Sequence, residues 1–312
     1  MTRKIIIDCD PGQDDAIALF LAYAAPEELD ILGVCSVAGN VGLDKTTRNA
    51  RILTDIAGRQ DVQIYAGCAD PLLNERVSAE HVHGKEGIDG IDLFDPTTPL
   101  SETHAVDFLI DTLRAAENDE VTLVPTGPLT NLAVAFRKAP DILPKIREIV
   151  LMGGAYRQGG NVTPSAEFNI YFDPHAARIV FGCGRPITVF SLDVTHQLPT
   201  TPERLARIKA IGNPVAIASH DLLNFYATSV AKYLKLPGPP LHDPCTIAYL
   251  LEPSLFTMRP CNVRVETDSE LTMGHTAVDL LGGTGLPQNA LWATRADDEG
   301  FYDLIISRLA QL

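Results

Sequence analysis

The stretch RKIIIDCDPGQDDAIALF, residues 3–20, decides the fold class of this chain. Its three consecutive isoleucines indicate a buried β-strand that ends near Asp10. Pro11 disfavours helical angles at the residue before it and Gly12 permits a positive φ, so we expect a sharp turn. The apolar spacing that follows predicts a helix beginning around Gln13 to Asp15. A strand, a tight turn and a helix in this order are typical of an α/β protein.

Strand and helix patterns continue to alternate beyond this stretch. Strand patterns recur in DILGVCSVAG, VQIYAG, EVTLVPTG, IREIVLMGG and PITVFSLDV, with helical patterns between them. After Pro202 come helical patterns in TPERLARIKAIG, NPVAIASHDLLNFYATSVAKYLKL and DPCTIAYLLEP, and then NVRVET and HTAVDL, which alternate like antiparallel edge strands. We therefore predict one α/β domain over residues 1–312: a mostly parallel, Rossmann-like sheet flanked by helices, with a helical insertion and short antiparallel edge strands near the C-terminus.

Composition narrows the classes of partner. The net charge of −15 and the pI near 4.9 argue against a nucleic-acid backbone or an anionic membrane surface, and they suit a small neutral or cationic ligand. No apolar run approaches the roughly 18 residues of a membrane span, and the first residues do not resemble a signal peptide. The six cysteines lie far apart without metal-ligand spacing, so we expect reduced thiols in a cytoplasmic protein.

Four aspartates crowd the end of the first strand: Asp8, Asp10, Asp14 and Asp15. Two unit charges about 4 Å apart repel by roughly 1 kcal/mol in water and about 4 kcal/mol at an effective dielectric constant of 20. A helix N-terminus would offset part of the charge of Asp14 and Asp15. It does not account for three acids converging on one turn, whereas a hard divalent cation does. Asp-Pro itself carries no signal, since it recurs four more times as a common start of helices.

An alternative for the same pattern is a phosphatase of the haloacid-dehalogenase type. Those enzymes also place two aspartates, as DxD, after a hydrophobic first strand and bind magnesium. They follow DxD with a pair such as Thr-Leu, whereas here Pro11 and Gly12 follow and then a second pair of aspartates. This difference makes a magnesium phosphohydrolase the weaker interpretation.

Seven motifs in order resemble the inosine–uridine-type nucleoside hydrolases, which cleave ribonucleosides to free base and ribose. Besides DCDPGQDDAIAL, they are VAGN (37–40), HVHGKEGIDG (81–90), VPTGPLTNLA (124–133), IVLMGGA (149–155), GNVTPSAEFNIYFDPHAA (160–177) and LHDPCTIAYLL (241–251). The resemblance covers nearly the whole chain and is strongest to the bacterial pyrimidine-specific ribonucleoside hydrolases. It implies a ribonucleoside substrate, a calcium ion and a homodimer or homotetramer.

The resemblance also implies roles for acids and for one histidine. Asp10, Asp15 and Asp243, with the carbonyl oxygen of Thr126, would bind calcium, which prefers oxygen ligands. Asp10 would also act as general base toward the attacking water. His242 would protonate the leaving base, a step for which histidine titrates in a suitable range. Taken alone, a histidine before the first residue of a helix is more often structural.

The remaining candidates would contact the substrate. Asp14, Asn161, Glu167 and Asn169 match positions that hold the ribose. In AEFNI we expect an extended segment, in which Glu167 and Asn169 face one side and Phe168 the other, although a solvent-facing strand edge is an equal possibility. The other substrate-binding candidates are Asn40, His83, Met152, Phe168, Tyr226 and Tyr233. Each of them also has a simpler structural interpretation, as a turn, core or stacking residue.

Some residues and properties stay open at this point. We assign Gln13 no role, and Asp8 is expected to support the acidic loop without contacting a ligand. The pyrimidine preference follows from overall similarity and not from a particular residue, since the segment 222–238 that would contact the base does not identify it. A catalytically silent nucleoside- or ribose-binding protein with the same metal site is the non-enzyme alternative.

Overall fold

The computed structural model describes residues 2–231 and 237–312. Its strands are β1 (Arg3–Cys9), β2 (Leu29–Ser36), β3 (Ile64–Ala66), β4 (Val121–Pro125), β5 (Ile146–Met152), β6 (Ile187–Phe190), β7 (Phe256–Val265), β8 (Thr276–Asp279) and β9 (Ala290–Ala296). Its helices are α1 (Gln13–Tyr23), α2 (Leu43–Ile56), α3 (Glu80–His83), α4 (Ala105–Ala115), α5 (Thr130–Lys138), α6 (Phe168–Phe172), α7 (Pro174–Phe181), α8 (Leu192–Thr195), α9 (Pro202–Ile211), α10 (Pro214–Val230), α11 (Pro244–Leu251) and α12 (Asp298–Leu309).

In the described residues the strands form one sheet in the order β3-β2-β1-β4-β5-β6-β9-β7-β8. Strands β2 to β6 and β9 run parallel to β1, as predicted for an α/β protein. Strand β7 pairs antiparallel with both β8 and β9, which confirms the expected antiparallel strands near the C-terminus, but of these strands only β8 is an edge strand. The predicted helical insertion corresponds to α9, α10 and α11, which lie between β6 and β7 in the chain.

Strand β1 separates the two halves of the hydrophobic core. Successive side chains of a strand point to opposite faces of its sheet. Ile5 and Ile7 accordingly pack with α1, α11 and α12 on one face, and Ile6 packs with α4, α5 and α7 on the other. Because both faces are covered by helices, the strand reads as a continuous apolar run, which is typical of a buried parallel sheet.

Helix α1 begins at Gln13, as predicted, and Asp14 and Asp15 lie in its first turn. Gly12 does not use the positive φ that glycine permits, because this residue is extended, with a φ of −107° and a ψ of −163°. In this conformation the Gly12 N–H donates a hydrogen bond of 2.9 Å to Oδ2 of Asp15. The turn is therefore closed by the aspartate and not by a left-handed glycine.

The prediction of an extended AEFNI segment is also wrong, since residues 168–172 form the short helix α6. Glu167 is the N-cap of α6, and its carboxylate accepts hydrogen bonds from the backbone N–H groups of Asn169 and Ile170. A side-chain oxygen at this position satisfies N–H groups that a helix start leaves free. Glu167 and Asn169 line the same cavity, as expected, but Phe168 lines it too, so the prediction that Phe168 faces the other side is wrong.

The topology places several strand ends together. From β1 the chain proceeds to β2 and β3 on one side of the sheet and returns to β4 on the other side. Ligands of open α/β sheets bind beyond the carboxyl ends of the strands where the strand order reverses in this way. Asp10 follows β1 directly and Thr126 follows β4 directly, so both lie at this point. In the part of the chain that the structure describes, no helix combines the length and the apolar character needed to cross a bilayer.

Candidate active site

A cavity of about 560 Å³ lies beyond the carboxyl ends of β1, β2, β4, β5 and β6. Its volume is in the range of small-molecule sites. Most of the predicted site residues line it: Asp10, Asp14, Asn40, His83, Thr126, Met152, Asn161, Glu167, Phe168, Asn169, Tyr226, His242 and Asp243. Asp15 lies just beneath this lining, and Tyr233 lies outside the described residues.

The acidic cluster, consisting of Asp10, Asp14, Asp15 and Asp243, forms one end of the cavity. Carboxylate oxygens of Asp14, Asp15 and Asp243 lie within 4.8 Å of one another, and all three residues are buried. Asp10 is adjacent to them, since its charge raises the pKa of Asp243. Acids from the start of α1 and from the start of α11, far apart in the sequence, therefore converge at one point.

Asp10 is held by the loop that follows β2. The backbone N–H of Asn40 donates to Oδ2 of Asp10 over 2.7 Å, and Nδ2 of Asn40 donates to the Asp10 carbonyl oxygen over 3.0 Å. Gly39 lies so close to the Asp10 carboxylate that a Cβ atom there would overlap Oδ2. Asn40 thus orients Asp10, a role that its interpretation as a turn residue alone does not include.

Asp15 is the best supported member of the acidic cluster. Its Oδ2 accepts from Gly12 N–H over 2.9 Å and lies 3.4 Å from Nδ2 of Asn40, and its Oδ1 accepts from the Thr126 hydroxyl over 2.8 Å. The Thr126 carbonyl oxygen accepts from Nδ2 of Asn169 over 2.7 Å. A carbonyl oxygen has two lone pairs, so this bond leaves it able to bind a cation as well.

Burial changes the protonation of the whole cluster. It raises the pKa of Asp10 and of Asp243 well above the usual range and raises the pKa of Asp14 to about 7, and the charge of a neighbouring aspartate adds to each effect. No lysine or arginine in residues 2–231 and 237–312 forms an ion pair with these acids. Buried like charges without a counter-charge are costly. An all-oxygen set of donors of this kind fits a hard divalent cation such as calcium.

Asp243 reaches the cluster because it does not cap its helix. Its backbone is helical, with a φ of −68° and a ψ of −36°, and its side chain forms no capping hydrogen bond with α11. The carboxylate is therefore free to turn toward Asp14 and Asp15. The Asp-Pro dipeptide in the sequence predicts a helix start at this place, but it does not show where the carboxylate points.

Polar groups from β5 and α6 form the wall next to the acids. Glu167 is buried and accepts a further hydrogen bond of 2.9 Å from the Gly154 N–H. Nδ2 of Asn169 donates to the Thr126 carbonyl and, over 3.2 Å, to the Met152 carbonyl. Because both side chains are held by the backbone, this wall is fixed before any ligand binds.

The loop between β5 and α6 covers this wall. Asn161 is exposed at the loop, and its Oδ1 accepts from the Phe168 N–H over 2.9 Å. Asp193 anchors the other end, where its carboxylate accepts from the N–H groups of Tyr156, Arg157 and Gln158. The loop is thus tied at both ends by side-chain oxygens.

Histidines and a tyrosine line a further part of the cavity. Nδ1 of His242 lies 2.8 Å from the Thr195 hydroxyl, and burial lowers the pKa of His242 well below its usual range. His83 stacks on Tyr226 with ring centres 5.6 Å apart and an interplanar angle of 18°. Both rings line the cavity. Tyr226 is buried, and its stack on His83 holds the ring in place.

Two residues of this region were missed by the sequence analysis. His196 lines the cavity with its ring centre 5.8 Å from that of His242, and its position directly after β6 and α8 is the signal that could have identified it. Gln13 is fully buried and hydrogen-bonded to His83, so the conclusion that it has no role needs revision. Nothing in the local sequence indicates this contact, since the two residues are 70 positions apart.

Asp8 lies outside the cavity lining, on the same face of β1 as Ile6. Its Oδ2 accepts a bond of 2.8 Å from Nδ2 of Asn131, which also donates to the Ser36 carbonyl. Oδ1 has no hydrogen-bond partner in the described residues, and burial raises the pKa of Asp8 to about 7. Asp8 thus links β1 to α5 beneath the acidic cluster.

Comparison with protein families gives a match to the model described as inosine-uridine preferring nucleoside hydrolase, over residues 5–303. Among curated proteins, the chain is 47% identical over 315 residues to a pyrimidine-specific ribonucleoside hydrolase, RihA, of Shewanella sp. strain MR-7. The alignment covers 99% of this chain and 97% of the relative.

Solved structures give the same relationship. A plant nucleoside hydrolase superposes with a TM-score of 0.93 and 34% identity, with 99% of each chain covered. A purine-preferring ribonucleoside hydrolase from Gardnerella vaginalis superposes with a TM-score of 0.91 and 32% identity, with 99% of this chain and 98% of that chain covered. The similarity extends over the whole fold, including the strand ends around the cavity.

Proposed function

The chain belongs to the inosine-uridine preferring nucleoside hydrolase family and is a ribonucleoside N-ribohydrolase, and on this premise we propose how it works and on which base. The proposed reaction is calcium-dependent hydrolysis of the N-glycosidic bond of a pyrimidine ribonucleoside to free base and ribose. The buried acidic cluster is the observation that carries the proposal. The phosphohydrolase alternative is disfavoured, because residues 5–303 match the nucleoside hydrolase family.

We assign the cation to the end of the cavity formed by the acidic cluster. Asp10, Asp15, Asp243 and the Thr126 carbonyl would hold it, and Asp14 is close enough to take part. A bound calcium ion would lower the pKa of a water molecule and attract the hydroxyl groups of the ribose. The support for calcium is the all-oxygen donor set and the lack of a described cationic side chain beside it.

Asp10 would accept the proton of the attacking water. Asn40 holds its carboxylate in one orientation, which a general base requires. Loss of the base leaves positive charge on the ribose ring, as in other glycoside hydrolyses. The carboxylates around the ribose would stabilise this charge more strongly in the transition state than in the neutral substrate.

His242 would donate a proton to the leaving base. Burial keeps this imidazole neutral at pH 7, because it lowers the pKa. When the Thr195 hydroxyl donates to Nδ1, the single ring proton lies on Nε2 and can form a hydrogen bond to the leaving base. Complete transfer requires the ring to take up a second proton first, because a neutral ring that lost its only proton would become an imidazolate. The wall of Asn161, Glu167 and Asn169, together with Asp14, would bind the ribose hydroxyls.

The pyrimidine preference rests on the relatives of the RihA group, which are 47% identical to this chain. The purine-preferring enzyme superposes with a TM-score of 0.91, close to the 0.93 of the plant enzyme. The fold therefore does not distinguish purine from pyrimidine nucleosides. Assembly into a homodimer or homotetramer and a cytoplasmic location stay predictions from the sequence.

Base release from uridine, cytidine, inosine and adenosine, with and without a calcium chelator, tests the proposal. We expect uridine and cytidine to be cleaved with a higher kcat/KM than the purine nucleosides. Activity should disappear with the chelator and return when calcium is restored. Activity that is insensitive to the chelator would contradict the metal site, and tight binding without turnover would support the silent-binding alternative.

Asp10→Asn tests the general base separately. We expect turnover of uridine to fall by about 10³-fold, within the range that general acid–base groups contribute. Calcium binding, measured by titration calorimetry, should weaken by less than it does when Asp243 is replaced. A variant that hydrolyses uridine at the parent rate would exclude Asp10 as the base.

A further inference from the structure

The side-chain amide of Gln13 has only one orientation in which its hydrogen bonds are satisfied. Nε2 lies 2.9 Å from the His83 carbonyl oxygen and 3.0 Å from the Asp89 carbonyl oxygen, and both can only accept. The two N–H groups of the amide therefore point at these two carbonyls. Oε1 is left facing Nδ1 of His83 at 2.7 Å.

This orientation determines where His83 carries its proton. Oε1 of an amide can only accept a hydrogen bond, so Nδ1 of His83 must be the donor. Burial lowers the pKa of His83 to about 3, so the ring is neutral and holds a single N–H. Nε2 is then unprotonated and has no hydrogen-bond partner among the described residues.

The ring of His83 is held on other sides as well. A Cβ atom on Gly12 would lie 2.5 Å from Nδ1, so only glycine allows the ring to approach the turn this closely. Tyr226 stacks against the ring, nearly parallel to it. His83 lines the cavity, and Nε2 is its ring nitrogen without a partner in the described residues.

We propose that Gln13 is a positioning residue that holds His83 as the Nδ1–H tautomer, so that Nε2 accepts a hydrogen bond from a donor group of the substrate. The substrate half of this inference rests on the proposed function. The tautomer half does not, since it concerns the free protein. A ribonucleoside carries two classes of suitable donor, the hydroxyl groups of the sugar and the N–H groups of the base.

The tautomer can be observed directly by long-range ¹H–¹⁵N correlation spectroscopy of the histidine side chains. Loss of signals in His83→Asn assigns the ring. We expect Nδ1 of His83 to have the shift of a protonated nitrogen and Nε2 that of an unprotonated one. The opposite assignment would overturn the inference, and this measurement needs only the unmodified protein, so it does not depend on a variant that folds.

Two substitutions at Gln13 test whether this residue is the cause. Gln13→Met keeps the length but removes the acceptor, so a mixture of tautomers should appear. Gln13→Glu keeps an oxygen opposite Nδ1, and as the carboxylic acid it can still donate to one of the two carbonyls, so it should retain the Nδ1–H tautomer, with kinetics closer to those of the unmodified protein. An Nδ1–H signal in Gln13→Met as complete as in the unmodified protein would show that Gln13 is not needed.

Kinetics with substrate analogues test the acceptor at Nε2. For Gln13→Met we expect KM for uridine to rise about tenfold with little change in kcat, as for loss of one binding interaction. Calcium affinity, measured in parallel, should be unchanged and thus exclude damage to the neighbouring Asp14 and Asp15. A fall in kcat with KM unchanged would contradict a role in substrate binding.

5′-Deoxyuridine lacks one sugar donor and 3-methyluridine lacks the base N–H. If His83 accepts from one of these groups, the analogue without it should bind less tightly to the unmodified protein, and Gln13→Met should then add no further loss. The affected analogue identifies the donor. If Gln13→Met weakens the binding of both analogues as much as that of uridine, His83 accepts from neither the 5′-hydroxyl nor the base N–H, and the acceptor role toward these two donors is excluded. If no nucleoside is cleaved but the Nδ1–H tautomer is seen, the proposed function fails while the assignment of Gln13 stands.

Discussion

Helices α7 and α11 both begin with Asp-Pro, and their aspartates have opposite uses. Asp173 caps α7: its Oδ1 accepts from Ala176 N–H, and its Oδ2 accepts from Leu72 N–H and the Thr130 hydroxyl. Asp243 forms no capping hydrogen bond with α11 and turns toward the carboxylates of Asp14 and Asp15. Both side chains are buried, but only one has its charge satisfied by donors.

The difference lies in the backbone. Asp173 has a φ of −140° and a ψ of 78°, outside the helix, so its side chain folds back over the first turn. Asp243 is itself helical, which carries its side chain away from the N–H groups of α11. A buried acid with a full set of donors stabilises a fold, whereas a buried acid among other acids indicates a site for a cation.

Asp243→Asn tests this comparison most sharply and has the largest expected effect. We expect kcat/KM for uridine to fall at least about 100-fold, because even hydrogen-bond partners of metal ligands are worth 10–100-fold. Calcium affinity should fall with it, as measured by calorimetry. The stability of the metal-free protein should not fall, because one of several buried like charges is removed.

Asp173→Asn is the matched change and should have the reverse outcome. The new amide group would face the Leu72 N–H or the Ala176 N–H, so a buried donor loses its acceptor. We expect a loss of about 2 kcal/mol in the free energy of unfolding, measured with urea. The folded variant should keep its kcat/KM and its calcium affinity. Lost activity with unchanged stability would break the comparison.

The sequence was sufficient to predict those structural features that depend on local patterns. The strand formed by the isoleucines of β1, the start of α1 at Gln13 and the presence of the antiparallel strands β7 and β8 were all predicted from pattern alone. Gly58 lies just past the end of α2 with a φ of 66°, as is common for a glycine at this position. These features depend on neighbours within a few residues of the chain.

Contacts between distant segments could not be read in this way. The orientation of Asp243, the cap at Glu167 and the bond between Gln13 and His83 each depend on backbone geometry that spacing does not reveal. AEFNI was predicted as extended because alternation fits five residues equally well as a strand or as a capped helix start. The resemblance to a family identified these residues as a group, but not how each one is held.

Glu167 combines both uses of a buried acid, since it caps α6 and lines the cavity. Burial raises the pKa of Glu167 from 4.5 to about 7, against the opposing effect of the N–H groups of Asn169, Gly154 and Ile170. From about pH 4.5 to 7 the unfolded chain has lost this proton while the folded protein keeps it. The folded state binds more protons in this window, so stability falls as the pH rises through it.

Glu167→Gln should remove this part of the pH dependence and has the smallest expected effect. Between pH 5 and pH 7 the unfolding free energy of the variant should fall less than that of the parent, by about 2 kcal/mol at most. The kcat/KM should fall about tenfold, the value of one hydrogen bond to a charged group. Asp279→Asn is a control, because hydrogen bonds from Thr284 lower the pKa of this half-buried acid. Its replacement should therefore alter the pH dependence of the unfolding free energy only near and below about pH 4. An unchanged slope between pH 5 and pH 7 in Glu167→Gln would show that Glu167 is already ionised in the fold and belongs with Asp173, as a satisfied cap.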